Sequence, residues 1–189
     1  MTEPDQKEAP ETDATSGGAP TESRADVRSR VLGALRHALE RADPGVLARL
    51  RRADPRSPPP DFFRVSVDVL DEILPGRGPI RDEQETRWAV IVQAMAMALG
   101  TNAKSGGLLG GAPFGKALAT AGVAEMRMLR LLEAEADQLP ALTRQLVSQL
   151  VSRGEPFSVG DLAALVLDRD PERARREIAR NFYRHLESN

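Results

Sequence analysis

The run that most resembles a chemical motif is Gly110-Gly111-Ala112-Pro113-Phe114-Gly115-Lys116-Ala117, which fits the GxxxxGK of a phosphate-binding loop up to its last position. In such a loop, backbone N–H groups cradle phosphates and a closing Ser or Thr hydroxyl holds Mg²⁺. Ala117 has no hydroxyl, and nothing before Gly106 reads as the buried strand that the loop must follow. Residues 106–113 are therefore expected to be a flexible, Gly-rich linker. His37 and His185 are the only histidines, fall on different predicted helices and belong to no metal-ligand set. The paired acids Asp71-Glu72, Asp82-Glu83 and Glu133 with Glu135 sit at predicted helix ends or exposed faces, where acids solvate or meet the helix dipole. Cysteine is absent, which removes disulfides, thiolate metal sites and cysteine nucleophiles. No catalytic residue, metal or cofactor is expected.

The arginines carry more information. On a helical wheel of the last predicted helix, Arg173, Arg176, Arg180 and Arg184 fall within about 80° of one another, opposite Ala174, Ile178, Phe182 and Leu186. Arg127 and Arg130 lie about 60° apart on an earlier helix, away from Met128, Leu129 and Leu132, and the next helix offers Arg144. Such ladders suit contact with a phosphate backbone, since guanidinium groups donate in pairs to phosphate oxygens. Glu172 and Glu177 stand three or four residues from several of these arginines, so the wheel alone fits a salt-bridged, solvated face equally well. Arg175 falls on the apolar face beside Ile178 and Phe182, which gives it a structural role that needs a carboxylate partner.

The elements that must position these side chains are helical. Val27, Val31, Leu35 and Leu39 recur every four residues and predict a helix ending near Ala42. Asp43-Pro44 opens a short helix through Leu47 and Leu50 to Arg52. Asp61 is expected to cap a helix carrying Phe62, Phe63, Val67, Leu70 and Leu74, which stops at Pro75-Gly76. Gln84 to Leu99 is apolar around most of its circumference, with Trp88, Ile91, Val92, Met95 and Leu99 inward, and reads as a central helix. Five more helices are predicted near Phe114 to Ala121, Ala124 to Ala136, Leu139 to Ser152, Val159 to Asp168 and Pro171 to Leu186. Ser158 with Asp161 reads as a capping box, Asp170-Pro171 as an N-cap with a proline behind it, and Gly122 and Gly154 as C-terminal stops.

Composition agrees with an all-α protein, since 41% of the 189 residues are hydrophobic but only 4% aromatic, with few β-branched runs. Residues 1–25 have almost no large apolar side chain and are expected to be a disordered acidic tail. A helical lobe over 26–105, the linker at 106–113 and a second lobe over 114–189 complete a two-lobed helical bundle. The net charge of −2 conceals an asymmetry. Of 28 acids and 26 bases, residues 1–26 hold seven acids and two bases, which leaves the remainder mildly basic with 21 and 24. The longest apolar run, Ala89 to Leu99, contains Gln93 and is far short of the roughly 18 residues of a membrane span. No signal-peptide pattern is read in the opening residues, so no membrane contact and a cytoplasmic location are expected.

Several segments, in this order and spacing, resemble the CasB family, the small subunit of the type I-E CRISPR Cascade complex. They are Leu50-Arg51-Arg52-Ala53 with Phe62-Phe63, Phe114-Gly115-Lys116-Ala117-Leu118-Ala119, Glu125-Met126-Arg127-Met128-Leu129-Arg130-Leu131-Leu132, and Ile178-Ala179-Arg180-Asn181-Phe182-Tyr183. Ile178 stands where the family often carries Trp, and Asn181 where an acid is common. The resemblance implies a non-catalytic, two-lobed helical subunit of an RNA-guided surveillance complex. Its implied partners are other Cascade subunits, a second copy of itself, the displaced strand of target DNA and, indirectly, the guide RNA. Guide pairing reads the sequence in such complexes, while protein contacts offset the cost of opening the duplex.

Carried over position by position, the resemblance makes Arg51, Arg52, Lys116, Arg127, Arg130, Arg176 and Arg180 the expected nucleic-acid contacts, and the wheels add Arg144 and Arg184. With only seven aromatic residues, most at core positions, binding is expected to be electrostatic and sequence-blind rather than by stacking. The main alternative is a helical scaffold module whose arginines pair with acids on protein neighbours, without nucleic-acid contact. A helix-turn-helix reader of duplex DNA fits less well, because the helices after Gly122 and Gly154 expose no obvious set of base-reading side chains.

Overall fold

The computed structural model describes residues 23–100 and 108–187, and the described residues form nine helices and no strand. They are α1 (Arg24–Glu40), α2 (Pro44–Arg52), α3 (Pro60–Leu70), α4 (Pro79–Leu99), α5 (Phe114–Thr120), α6 (Glu125–Glu133), α7 (Leu139–Arg153), α8 (Val159–Leu167) and α9 (Glu172–Glu187). The all-α class read from the sequence is the observed one. Most of the expected tail lies outside the described residues. Its last residues belong to α1, which starts at Arg24 because Ser23 and Asp26 form a capping box, the Ser23 hydroxyl accepting from the Asp26 amide at 3.2 Å.

α4 is the axis of the molecule. Its residues from Trp88 to Ala98 are buried except Met97, and it packs against α1, α2, α7 and α8. The halves assigned to 26–105 and 114–189 therefore share one hydrophobic core, continuous from Val31 to Phe182. Gln93 is the polar exception within the buried stretch. It is 3% exposed, and its amide donates to the carbonyls of Ala53 and Arg51 at 2.6 and 3.2 Å, satisfying the frayed end of α2.

Helices α5 and α9 form the closest pair in the C-terminal half. At Gly115 a Cβ would collide with the backbone carbonyl of Ile178 and come within 3.0 Å of the Phe182 nitrogen. The glycine that resembled a phosphate-loop residue is thus a helix-contact residue. The described part of the expected linker, Leu108 to Pro113, is pinned rather than loose. Leu108 and Leu109 are buried, the Gly110 amide donates to the Phe157 carbonyl at 3.0 Å, and the Phe157 amide donates back to Leu108 at 3.0 Å. Two leucines flanked by glycines gave the segment apolar anchors that its glycine content hid. Residues 101–107 lie outside the described set.

Two expected caps are rearranged. Asp61 does not open α3, which begins at Pro60; it lies inside the first turn, buried, and receives both forks of Arg49 from α2 at 2.5 and 3.1 Å. Half of the Ser158 and Asp161 box is present, the Ser158 hydroxyl accepting from the Asp161 amide at 3.1 Å. The Asp161 carboxylate instead accepts from the Phe114 amide at 2.9 Å and so caps α5 from α8. Gly122 and Gly154 do stop their helices, with φ of 68° and 71°.

Candidate nucleic-acid interface

α7 has no acidic residue. Its inward face buries Leu139, Thr143, Leu146, Val147 and Leu150, and the opposite face carries Arg144, Gln145, Ser148, Gln149, Ser152 and Arg153. That polar face forms one wall of a groove of about 1120 Å³, whose other wall is the end of α2 and the turn after it, bearing Arg52, Asp54 and Arg56. Arg127 of α6 and Gln93 of α4 complete the lining that matters here. Five arginines (Arg52, Arg56, Arg127, Arg144 and Arg153) thus face two aspartates, Asp54 and Asp137.

The groove arginines differ in how they are held. Arg56 donates to the Asp137 carbonyl at 2.8 Å, tying the two walls together. Arg127 donates to the Gln149 side chain at 3.1 Å, and Gln149 donates in turn to the Ala121 carbonyl at 3.3 Å, which fixes the Arg127 head at the groove edge. Among the described residues, Arg52, Arg144 and Arg153 have no ion pair, and all three are exposed. Their charge is available to an outside anion without breaking an internal contact.

Of the nine positions expected from the sequence, the structure brings together Arg52, Arg127 and Arg144. Arg51, adjacent to Arg52, turns the other way and donates to the Gly100 carbonyl at 2.9 Å, closing the C-terminal end of α4. Lys116 is exposed on α5, Arg130 on α6, and Arg176, Arg180 and Arg184 on the outer face of α9, none of them lining the groove. Glu172 pairs with Arg175 at 3.0 Å, and among the described residues Glu177 has no ion pair with Arg173, Arg176 or Arg180. Arg173, Arg176 and Arg180 therefore form a second basic face on α9, with no ion pair to Glu177 among the described residues.

Arg175 is structural, as its place on the wheel required. Besides Glu172, it donates to the Ala134 carbonyl at 2.5 Å and so closes the end of α6. Its carboxylate partner is half-exposed rather than buried. His37 is exposed, and Glu40, the carboxylate three residues further on, is taken by Arg36 at 2.8 Å. Sequence reasoning missed Arg56 and Arg153. The absence of acids along α7 was the available signal for Arg153, whereas Arg56 joins the groove only because the turn after α2 folds onto Asp137.

Aromatic stacking has little part in this geometry. Phe62, Trp88, Phe114, Phe157 and Phe182 are buried, and neither exposed Phe63 nor Tyr183 lines the groove. Tyr183 instead donates its hydroxyl to Glu125 at 2.9 Å, which with burial holds the phenol above its ordinary pKa and ties α9 to α6. Among the described residues no helix is long and apolar enough to cross a membrane.

The family model described as CRISPR-associated protein Cse2 matches residues 46–183. A chain of the E. coli Cascade structure bound to a PAM-containing double-stranded DNA target superposes with a TM-score of 0.62 at 20% identity, over 83% of this chain and 97% of that one. CasB from Thermobifida fusca gives 0.63 at 17% identity, over 83% and 97%. M. ruber CasB gives 0.59 at 23% identity, over 89% and 97%. No curated protein matches the sequence.

Proposed function

The chain belongs to the CRISPR-associated Cse2 family, and from that premise we propose that it is a non-catalytic small subunit of a type I-E Cascade complex in the cytoplasm, holding the displaced strand of target DNA by backbone electrostatics. The observation that carries the reading is the groove between α2 and α7, with five arginines, two aspartates and no exposed aromatic ring. A displaced strand is a flexible polyanion with its bases unpaired. Unpaired guanidinium groups with amide and hydroxyl neighbours hold such a strand through its phosphates and leave the bases unread. Guide pairing supplies the sequence information, so the subunit needs none.

In this reading Arg52, Arg144 and Arg153 make the direct phosphate contacts and Arg127 orients from the rim. Arg176, Arg180, Arg184, Arg130 and Lys116 belong to outer faces that meet either other parts of the DNA or neighbouring subunits, including a second copy of the chain. The contact with guide RNA is indirect. Photo-crosslinking tests the assignment: a benzophenone side chain at Ser148, in a complex assembled on target DNA, should capture the displaced strand. Capture of only the guide-paired strand, or of another protein subunit, would remove the groove from this role and favour a scaffold module.

A further inference from the structure

The acidic residues before α1 have no place in the groove reading. Residues 1–22, outside the described set, hold six acids and one lysine, and the family match begins only at residue 46. They join the fold at Ser23, the cap of a helix whose first turns carry Arg24 and Arg28. Those two side chains border a cleft of about 390 Å³ between α1, α4 and the end of α8, with Arg87 and Arg169 also lining it and Trp88 at its base. One carboxylate, Asp168, faces these four guanidinium groups. Arg28 takes Asp168 at 2.7 Å, and Arg87 takes Glu83 at 2.6 Å. Among the described residues, Arg24 and Arg169 are left without an ion pair, and both are exposed.

We propose that the acidic segment preceding Ser23 docks on this cleft of its own chain, its carboxylates meeting Arg24 and Arg169. The charges are complementary, and the segment is attached one residue from the cleft's border. At about 3.3 Å per extended residue, the stretch from Glu22 back to Asp13 and Glu11 spans a few tens of ångströms, ample to cross the cleft. Covalent attachment raises its effective concentration to the millimolar range, where contacts too weak for a free peptide are populated. Docking neutralises this basic surface and leaves the α2–α7 groove and the α9 face open to nucleic acid.

The chain's composition makes the test clean, since it has no cysteine and a single tryptophan that lines the cleft. A nitroxide on Ser16→Cys of the full chain should quench Trp88 emission relative to a diamagnetic label. The loss should be by about half at low salt, as expected when a millimolar effective concentration meets a millimolar ion-pair affinity. Emission should recover at about 0.5 M NaCl, where screening falls to a few ångströms. It should recover equally in Arg24→Gln/Arg169→Gln and in Glu11→Gln/Asp13→Gln/Glu22→Gln. Equal emission from the two labels, or quenching that survives either set of substitutions, would overturn the proposal. Quenching that vanishes when labelled chain is mixed with excess unlabelled Trp88→Phe chain would hand the cleft to a second copy.

Discussion

The groove reading is most exposed to a paired substitution, Arg144→Gln with Arg153→Gln, because neither side chain has an internal partner among the described residues and both are exposed. Removing them should leave the fold and the assembly of the complex unchanged. If each contacts one phosphate of a single strand, the plot of log affinity against log salt becomes shallower by about 0.7 per contact, or about 1.4 for the pair. Taking the two proteins as equal at 1 M salt, that slope corresponds to about 15-fold weaker R-loop formation near 0.15 M, or about 1.6 kcal/mol. The assay is titration of target DNA onto the assembled complex across a salt series, with assembly checked by gel filtration. The matched control is Arg176→Gln/Arg180→Gln on α9, the same charge change outside the groove. An unchanged slope for the groove pair, with the full effect appearing in the α9 pair, would refute the placement of the strand. Failure of the groove pair to enter the complex would make the groove a protein interface.

Three further outcomes follow from the packing. Gly115→Ala must push a methyl group into the Ile178 carbonyl at the α5–α9 contact, so thermal unfolding should shift down by about 6–12 °C, the equivalent of roughly 3 kcal/mol of overpacking. Gln93→Leu leaves the carbonyls of Arg51 and Ala53 unmatched, and should cost about 1–3 kcal/mol in denaturant titration while weakening DNA binding by loosening the wall that carries Arg52. Asp61→Asn concerns a carboxyl held below the ordinary carboxylate range by its hydrogen bonds from Arg49, against the opposing effect of burial. A depressed folded-state pKa gives stability that is present above the unfolded value, near 3.9, and is lost as pH falls through the folded one. Asp61→Asn should therefore unfold at lower denaturant than the parent at pH 7, with the difference closing below about pH 4; a pH-independent gap would show that packing, not charge, is lost.

Periodicity made the helices legible. Leu and Val repeats mark α1, α2 and α7, an apolar run marks α4, and glycines mark the ends of α5 and α7. What periodicity could not supply is the choice among partners distant in the chain. Asp61 has the residue type and position of a cap, yet a guanidinium one helix back outbids the amide it was expected to serve. Asp161 fits a capping box with its own helix, yet it serves the start of α5. Arg51 and Arg52 look equivalent in sequence, but at about 100° apart on a helix one reaches the end of α4 and the other the groove. The groove itself joins Arg52 to Arg144, and no local pattern reports that α2 and α7 flank the same central helix.

Holding a strand without reading it requires donors at fixed spacing and nothing that prefers a base. α7 meets both conditions. Arg144 and Arg153 stand nine positions apart on α7, about 13 Å along the axis at 1.5 Å per residue and about half a turn apart around it, so they flank its polar face from opposite edges. Between them lies Ser148, whose hydroxyl can donate to a phosphate or sugar oxygen, while Ser152 donates to the Gln149 carbonyl at 2.9 Å and Gln149 to that of Ala121. Five of the seven rings that could grip bases are packed into the core, and Phe63 and Tyr183 lie outside the groove. Base–aromatic stacking contributes about 1–3 kcal/mol per base where it operates. Without it, displaced strands of all-thymine and all-adenine composition should be held within a few-fold of one another while both respond steeply to salt. A tenfold preference for either at constant salt would mean that a base contact, absent from the groove described above, decides the binding.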